Sequence, residues 1–262
     1  MKICDIHIHT GNFNGGLYFS PEEISRSMKA LNVERYYFSS TSTGNLPFRE
    51  VRREIESLVE MSHGRAIPFL WVSPGMLRHS RDLRPYFFRD FAGIKIHGLQ
   101  GWNPNGKEIH RVLSIAREKD LPVLLHTGEH EICRAGAYLR LCREFGDVRI
   151  ILAHGRPLDE CITVMKECPN VYADTAFMPV NNILILRNEG LIERVLWGTD
   201  FPVMRYFYDI TPADYYRQKI SEAINALGES DFTRITQENF NAIKIADPQI
   251  SRACKNFSLN GS

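Results

Sequence analysis

Near its N-terminus the chain reads Cys4-Asp5-Ile6-His7-Ile8-His9-Thr10. On a β-strand alternate side chains share a face, so Asp5, His7 and His9 point one way and Ile6 and Ile8 the other. Two imidazoles so spaced at a strand end can both reach one metal ion, and neutral imidazole suits zinc, iron or nickel. Alone, His-x-His is a weak signal, because strands carry stray histidines bonded to backbone. It gains weight when other strands aim ligands at the same point. Four later apolar runs end in this way: Gly93-Ile-Lys95-Ile-His97, Val123-Leu-Leu-His126, Ile150-Ile-Leu-Ala-His154 and Leu196-Trp-Gly-Thr-Asp200.

The acid among them has a double use. A carboxylate on the last strand, Asp200, can hold a metal through one oxygen and take a proton from a bound water through the other. A divalent ion brings the pKa of such water to about 7, which supplies hydroxide at neutral pH. Attack on a carbonyl then builds an oxyanion that the metal or a protonated His154 stabilises. Arg156 presents a planar fork that matches a carboxylate bidentately, so it is the candidate grip for an anionic substrate, with His97 and Glu129 as further substrate contacts. His130, Asp174, Thr175 and Arg205 fall at the same strand ends, and Phe13 and Trp102 are candidate walls.

These residues need a scaffold that gathers distant strand ends. Short β-branched runs alternate with helical periodicity along the chain, over Ile3–His9, Val33–Ser39, Ala66–Val72, Ala92–His97, Leu121–His126, Val148–His154, Asn170–Asp174 and Arg194–Asp200. Between and after them lie predicted helices: one opened by the capping box Ser20-Pro21-Glu22-Glu23, then Phe48–His63, Lys107–Lys119, Ile132–Phe145, Leu158–Cys168, Asn181–Asn188, Pro212–Leu227 and Asp231–Ile245. Strand–helix alternation with eight strands predicts an α/β chain folded as a (β/α)8 TIM barrel, whose active sites lie at the C-terminal ends of the strands. An open doubly wound sheet is the rival, but Thr10-Gly-Asn-Phe-Asn-Gly-Gly16 lacks dinucleotide-fingerprint spacing. The barrel is expected over residues 1–250, with a polar, fraying tail over 251–262.

At this point the residues resemble a known family. His-x-His on the first strand, histidines on the fifth and sixth and Asp200 on the eighth are similar to the amidohydrolase superfamily. The Gly198-Thr-Asp-Phe-Pro202 end and the closing Gln237-Glu-Asn-Phe-Asn-Ala-Ile-Lys244 resemble its amidohydrolase-related (Amidohydrolase 2) branch. The likeness runs from Met1 to about Ala246. It implies a metal-dependent barrel in a branch of hydrolases, including lactonases, and zinc-dependent non-oxidative decarboxylases related to aminocarboxymuconate-semialdehyde decarboxylase. It implies that His7, His9, His126 and Asp200 are metal ligands. His154 then binds a second metal or touches the reaction centre, and Lys95 bridges two ions only if carbamylated. Otherwise Lys95 is a substrate cation or a structural ion pair with Asp5 or Asp174.

The expectation is a metal-dependent hydrolase that uses metal-bound hydroxide on an amide, ester or lactone of a small anionic substrate. The alternatives are a zinc-dependent decarboxylase of an unsaturated or aromatic acid, and a non-catalytic metal- or ligand-binding barrel. Zinc is the leading ion, one or two per chain, with Mn2+, Fe2+ and Ni2+ as alternatives. Composition agrees: 262 residues, 24% charged with net charge +1, give no electrostatic case for nucleic acid or a membrane surface. No apolar run reaches about 18 residues, and with the first strand starting at about Ile3 no signal peptide is expected. The six scattered cysteines read as reduced thiols of a cytoplasmic protein, and a homo-oligomer stays open.

Overall fold

The computed structural model describes residues 2–13, 16–79 and 91–245. The expected tail at 251–262 lies outside the described residues. Nine strands form one sheet: β1 (Ile3–Phe13), β2 (Leu17–Phe19), β3 (Val33–Ser40), β4 (Ala66–Val72), β5 (Gly93–Ile96), β6 (Val123–His126), β7 (Ile150–Ala153), β8 (Val171–Asp174) and β9 (Val195–Leu196), in the order β2-β1-β3-β4-β5-β6-β7-β8-β9. All neighbours pair in parallel except β2, which folds back on β1 as a short hairpin arm. The eight parallel strands curl until the ends meet. Ile6 N donates to Trp197 O at 2.9 Å, Asp200 N to His7 O at 2.8 Å and His9 N to Phe201 O at 2.8 Å. These bonds join the segment after β9 to β1, the ring expected from the alternation.

Strands covered on both faces read as unbroken apolar runs, and β4, β5 and β7 are buried throughout. The helices α1 (Pro21–Ala30), α2 (Phe48–Met61), α3 (Pro74–His79), α4 (Lys107–Glu118), α5 (Leu139–Glu144), α6 (Leu158–Glu167), α7 (Val180–Asn188), α8 (Pro212–Thr233) and α9 (Asn239–Ala242) punctuate the strands. The Ser20 hydroxyl accepts from Glu23 N, and Pro21 sits at the first helical position, as the capping box predicts.

Three boundaries differ from expectation. The helix predicted from Ile132 begins at Leu139, because Glu131–Cys133 and Ala135–Tyr138 form tight 3-10 turns. Gly228 does not stop α8 but kinks it, with φ 78°. The last predicted helix is a π-turn at Arg234–Glu238 followed by α9, and the π-turn lets Ile235 O accept from Trp197 N at 2.9 Å. Among the described residues no helix is long and apolar enough to cross a membrane.

Candidate active site

Each polar strand end faces one cavity of about 300 Å³, lined among others by His7, His9, Lys95, His97, His126 and His154, with Arg156 and Asp200. Two of these residues leave their strands in the left-handed region, His154 at φ 70° and Asp200 at φ 59°. Such backbone costs about 1–3 kcal/mol at a non-glycine residue and persists only where the surroundings enforce it. Here they do: His154 N donates to Asp174 Oδ1, Asp200 N to His7 O, and Val203 N to Asp200 O.

The ligand atoms converge tightly. His7 Nε2 lies 3.1 Å from His9 Nε2 and 3.4 Å from Asp200 Oδ1. His9 Nε2 is 2.9 Å from the same oxygen, and His154 Nε2 is 4.0 Å from Asp200 Oδ2. The partners of the other ring nitrogens fix the tautomers. His7 Nδ1–H donates to Asp174 Oδ2 at 2.8 Å, His9 Nδ1–H to Ser39 O at 3.2 Å and His154 Nδ1–H to Ala176 O at 3.1 Å. Each Nε2 therefore presents a lone pair toward the others. Asp200 Oδ1 is buried and accepts no hydrogen bond. Lone pairs and a carboxylate packed this closely repel unless a cation sits among them. The Lys95 ammonium, 2.9 Å from His7 Nε2, serves only one of them. The donor set fits a divalent ion.

Electrostatics agree with that reading. Burial pushes His154 and His97 down to about 3 and lowers His9 and His126 as well, so all four imidazoles stay neutral and able to coordinate. Burial alone would raise the Asp200 carboxyl, but the electrostatic pull of the facing cluster, from His7 first, outweighs it and holds Asp200 well below the usual carboxylate range. Burial also brings Lys95 down to about 8 against the pull of Asp200 and Asp174.

The structure places the expected residues unequally. His7, His9 and Asp200 bring ligand atoms within 4.8 Å of one another, and His154 borders them. His126 lines the cavity but lies outside that cluster, its ring stacked 3.9 Å from His97, which stacks in turn on Trp71. Lys95 meets His7 rather than pairing directly with Asp5 or Asp174. Asp5, on the ligand face, instead accepts from Thr199 Oγ1 and His7 N beneath the cavity. Glu129 and His130 are exposed and outside the lining, Arg205 points to Glu23, and Trp102 is buried in the core. Phe13 does line the cavity.

Sequence reasoning took Asp174 for a mouth residue or an ion-pair partner of Lys95 and missed its hold on the histidines. It is fully buried and accepts from His7 Nδ1, His154 N and Ala176 N, so it orients both histidines. With His7 and His154 it forms a second cluster of ligand atoms, but both of its oxygens are committed to these donors. The only sequence signal was an acid closing a buried strand. Phe177, Phe207 and Tyr208, which wall the cavity from the loops after β8 and β9, gave none.

Comparison with known proteins follows the same lines. Residues 62–239 match the family described as Amidohydrolase. No curated protein matches the sequence. Among solved structures, a probable 2-pyrone-4,6-dicarboxylic acid hydrolase from Acinetobacter baumannii, with citric acid bound, superposes with a TM-score of 0.66 at 11% identity, over 93% of this chain and 99% of that one. An Amidohydrolase 2 from Bifidobacterium longum subsp. infantis gives 0.66 at 15% identity, over 94% and 99%. A 2,6-dihydroxybenzoate decarboxylase complexed with 2,6-dihydroxybenzoate gives 0.59 at 15% identity, over 92% and 98%.

Proposed function

The chain belongs to the amidohydrolase family, and we propose that it is a metal-dependent hydrolase of an amide, ester or lactone in a small anionic substrate. One observation carries the proposal: three imidazole Nε2 atoms and Asp200 converge in a buried cavity, and Asp200 Oδ1 has no donor of its own. His7, His9 and Asp200 would hold the ion, with His154 beside them. A divalent ion there, zinc first, would supply Lewis acidity and lower the pKa of a water toward about 7.

The chain's own groups account for the rest. Asp174 keeps the His7 ring in the tautomer that offers Nε2 to the ion. Asp200 Oδ2 faces His154 Nε2 at 4.0 Å, so the carboxylate can take a proton from the attacking water and pass it toward the leaving group. His154 Nε2, beside that carboxylate, could relay the same proton onward to the leaving group. Among the described residues Arg156 has no carboxylate partner and its buried Nε has no acceptor; His97 Nδ1 is likewise unpartnered. Both line the cavity, and together they suit a substrate carboxylate. Lys95, as an ammonium against His7, would neutralise charge beside one ion, and it would serve two ions only if carbamylated. Among the described cysteines all are free thiols, which supports a reducing, cytoplasmic setting.

Non-oxidative decarboxylation is the second reading. The planar stack Trp71–His97–His126 along the wall, at 5.6 Å and 3.9 Å, would suit a flat acid whose carboxylate leaves as carbon dioxide. The test is metal analysis of the purified protein followed by substrate panels that read acid release and carbon dioxide separately. We expect one or two bound ions and hydrolysis without carbon dioxide. Asp200→Asn should lower turnover by about 100-fold or more, because Asn tolerates the left-handed backbone but accepts no proton at neutral pH. Carbon dioxide as the product, or near wild-type turnover in Asp200→Asn, overturns the assignment.

A further inference from the structure

A second cavity, of about 460 Å³, lies beyond the first and shares two walls with it, Phe177 and Tyr208. The two rings are 6.2 Å apart, and Phe177 also packs on His154 at 6.0 Å, so it stands between the histidine cluster and the second space. Phe177 is held in the left-handed region at φ 52°, a position a bulky residue takes only under constraint.

Lys219 of α8 also lines this second cavity. It is 7% exposed, unusual for a lysine on an outer barrel helix. Its Nζ donates to Met178 O at 2.6 Å, and among the described residues no carboxylate lies in ion-pair range. An ammonium has three N–H groups, so a buried cation is left with donors to spare beside an open space. Burial lowers its pKa, with Glu222 opposing. Asp209 and Glu222 line the cavity too but are exposed, so water and salt screen them more than the buried ammonium.

We propose that the two cavities form one elongated substrate site. The scissile group lies at the histidine–aspartate cluster, a linking segment passes between Phe177 and Tyr208, and Lys219 holds a distal carboxylate. This rests on the hydrolase reading and deepens it: the small substrate is elongated, and its acyl product carries the distal carboxylate at Lys219 and the one that hydrolysis releases.

Titration calorimetry on the metal-loaded chain tests this, with α,ω-dicarboxylates from succinate to sebacate against monocarboxylates of equal length. At one chain length the diacid should bind about tenfold more tightly than its monoacid, and Lys219→Met should erase that advantage while Lys219→Arg keeps most of it. Equal affinity of diacid and monoacid at every length overturns the proposal, as does an undiminished advantage in Lys219→Met. Should Lys219→Met fail to fold, a crystal structure of the wild-type chain with the tightest diacid decides. A carboxylate within hydrogen-bond distance of Lys219 Nζ supports the proposal, and one placed elsewhere overturns it. Binding reads independently of turnover. Diacid selectivity without ester or amide cleavage would sink the hydrolase reading alone, and cleavage without selectivity would sink only this one.

Discussion

Asp174 shows how a residue that touches no substrate can decide the chemistry. Its two oxygens accept from three donors, of which His7 Nδ1–H is the one that matters for the ion. Asn has a single acceptor oxygen and an NH2 that must face something. If the amide turns its NH2 to His7, the ring takes the other tautomer and points a proton into the cluster. If it turns its oxygen to His7, the NH2 faces the His154 and Ala176 N–H groups, donor against donor. Asp174→Asn should therefore weaken metal affinity by about 10–100-fold, the usual effect of losing such an orienting carboxylate. Competition with a chromophoric chelator measures this, and an unchanged affinity would show that Asp174 merely fills space. A structural role alone would lower stability without changing the pH at which the ion binds, whereas loss of the tautomer lock moves both.

At the level of strands and helices, the fit of β5 under Lys95 is set by an absent side chain. A Cβ on Gly93 would come within 2.6 Å of Phe69 Cζ on the adjacent β4. A ring locked in the barrel core cannot yield as a flexible chain end would. Gly93→Ala should cost about 1–3 kcal/mol, read as a lower urea midpoint, and adding Phe69→Leu should recover part of it. Wild-type stability in the single variant would mean that the ring has room to move. The same buried strands explain what the sequence made legible. Apolar runs such as Ala66–Val72 and Ile150–Ala153 could hardly be anything but covered strands, and their polar ends marked the site. The arm β2, three residues long, and α3, six residues long, are too short to carry a period. The link between Asp174 and His7 spans 167 residues and depends on how β8 and β1 face across the ring, which no local pattern encodes. His126 shows the converse: its strand position was legible, but its stacking on His97 and its edge contact with His154 were not.

For the whole molecule, gathering neutral histidines in one cavity has a consequence for folding that reaches beyond catalysis. His97 and His154 titrate near 3 when folded against about 6.5 when unfolded, so between these values the unfolded chain binds more protons. Stability contributed by these two groups is present above 6.5 and is lost as pH falls toward 3. Asp5 works in the opposite direction. Burial raises its folded value to about 7 from an unfolded 3.8, so across that window the folded chain holds the extra proton and stability falls as pH rises. Two histidines against one acid leave a net positive slope, and the lowered His9 and His126 add to it. Each uncompensated group contributes about 1.4 kcal/mol per pH unit at the limit. The metal-free protein should therefore lose at least about that much per unit between pH 6 and pH 4, measured as urea midpoints in a pH series at constant ionic strength. Asp200 and Asp174, held below their ordinary value, extend the loss to more acid conditions. A flat profile from pH 6 to pH 4 would mean that the histidines are already protonated in the folded chain. The lone pairs assigned to the metal cluster would then not exist.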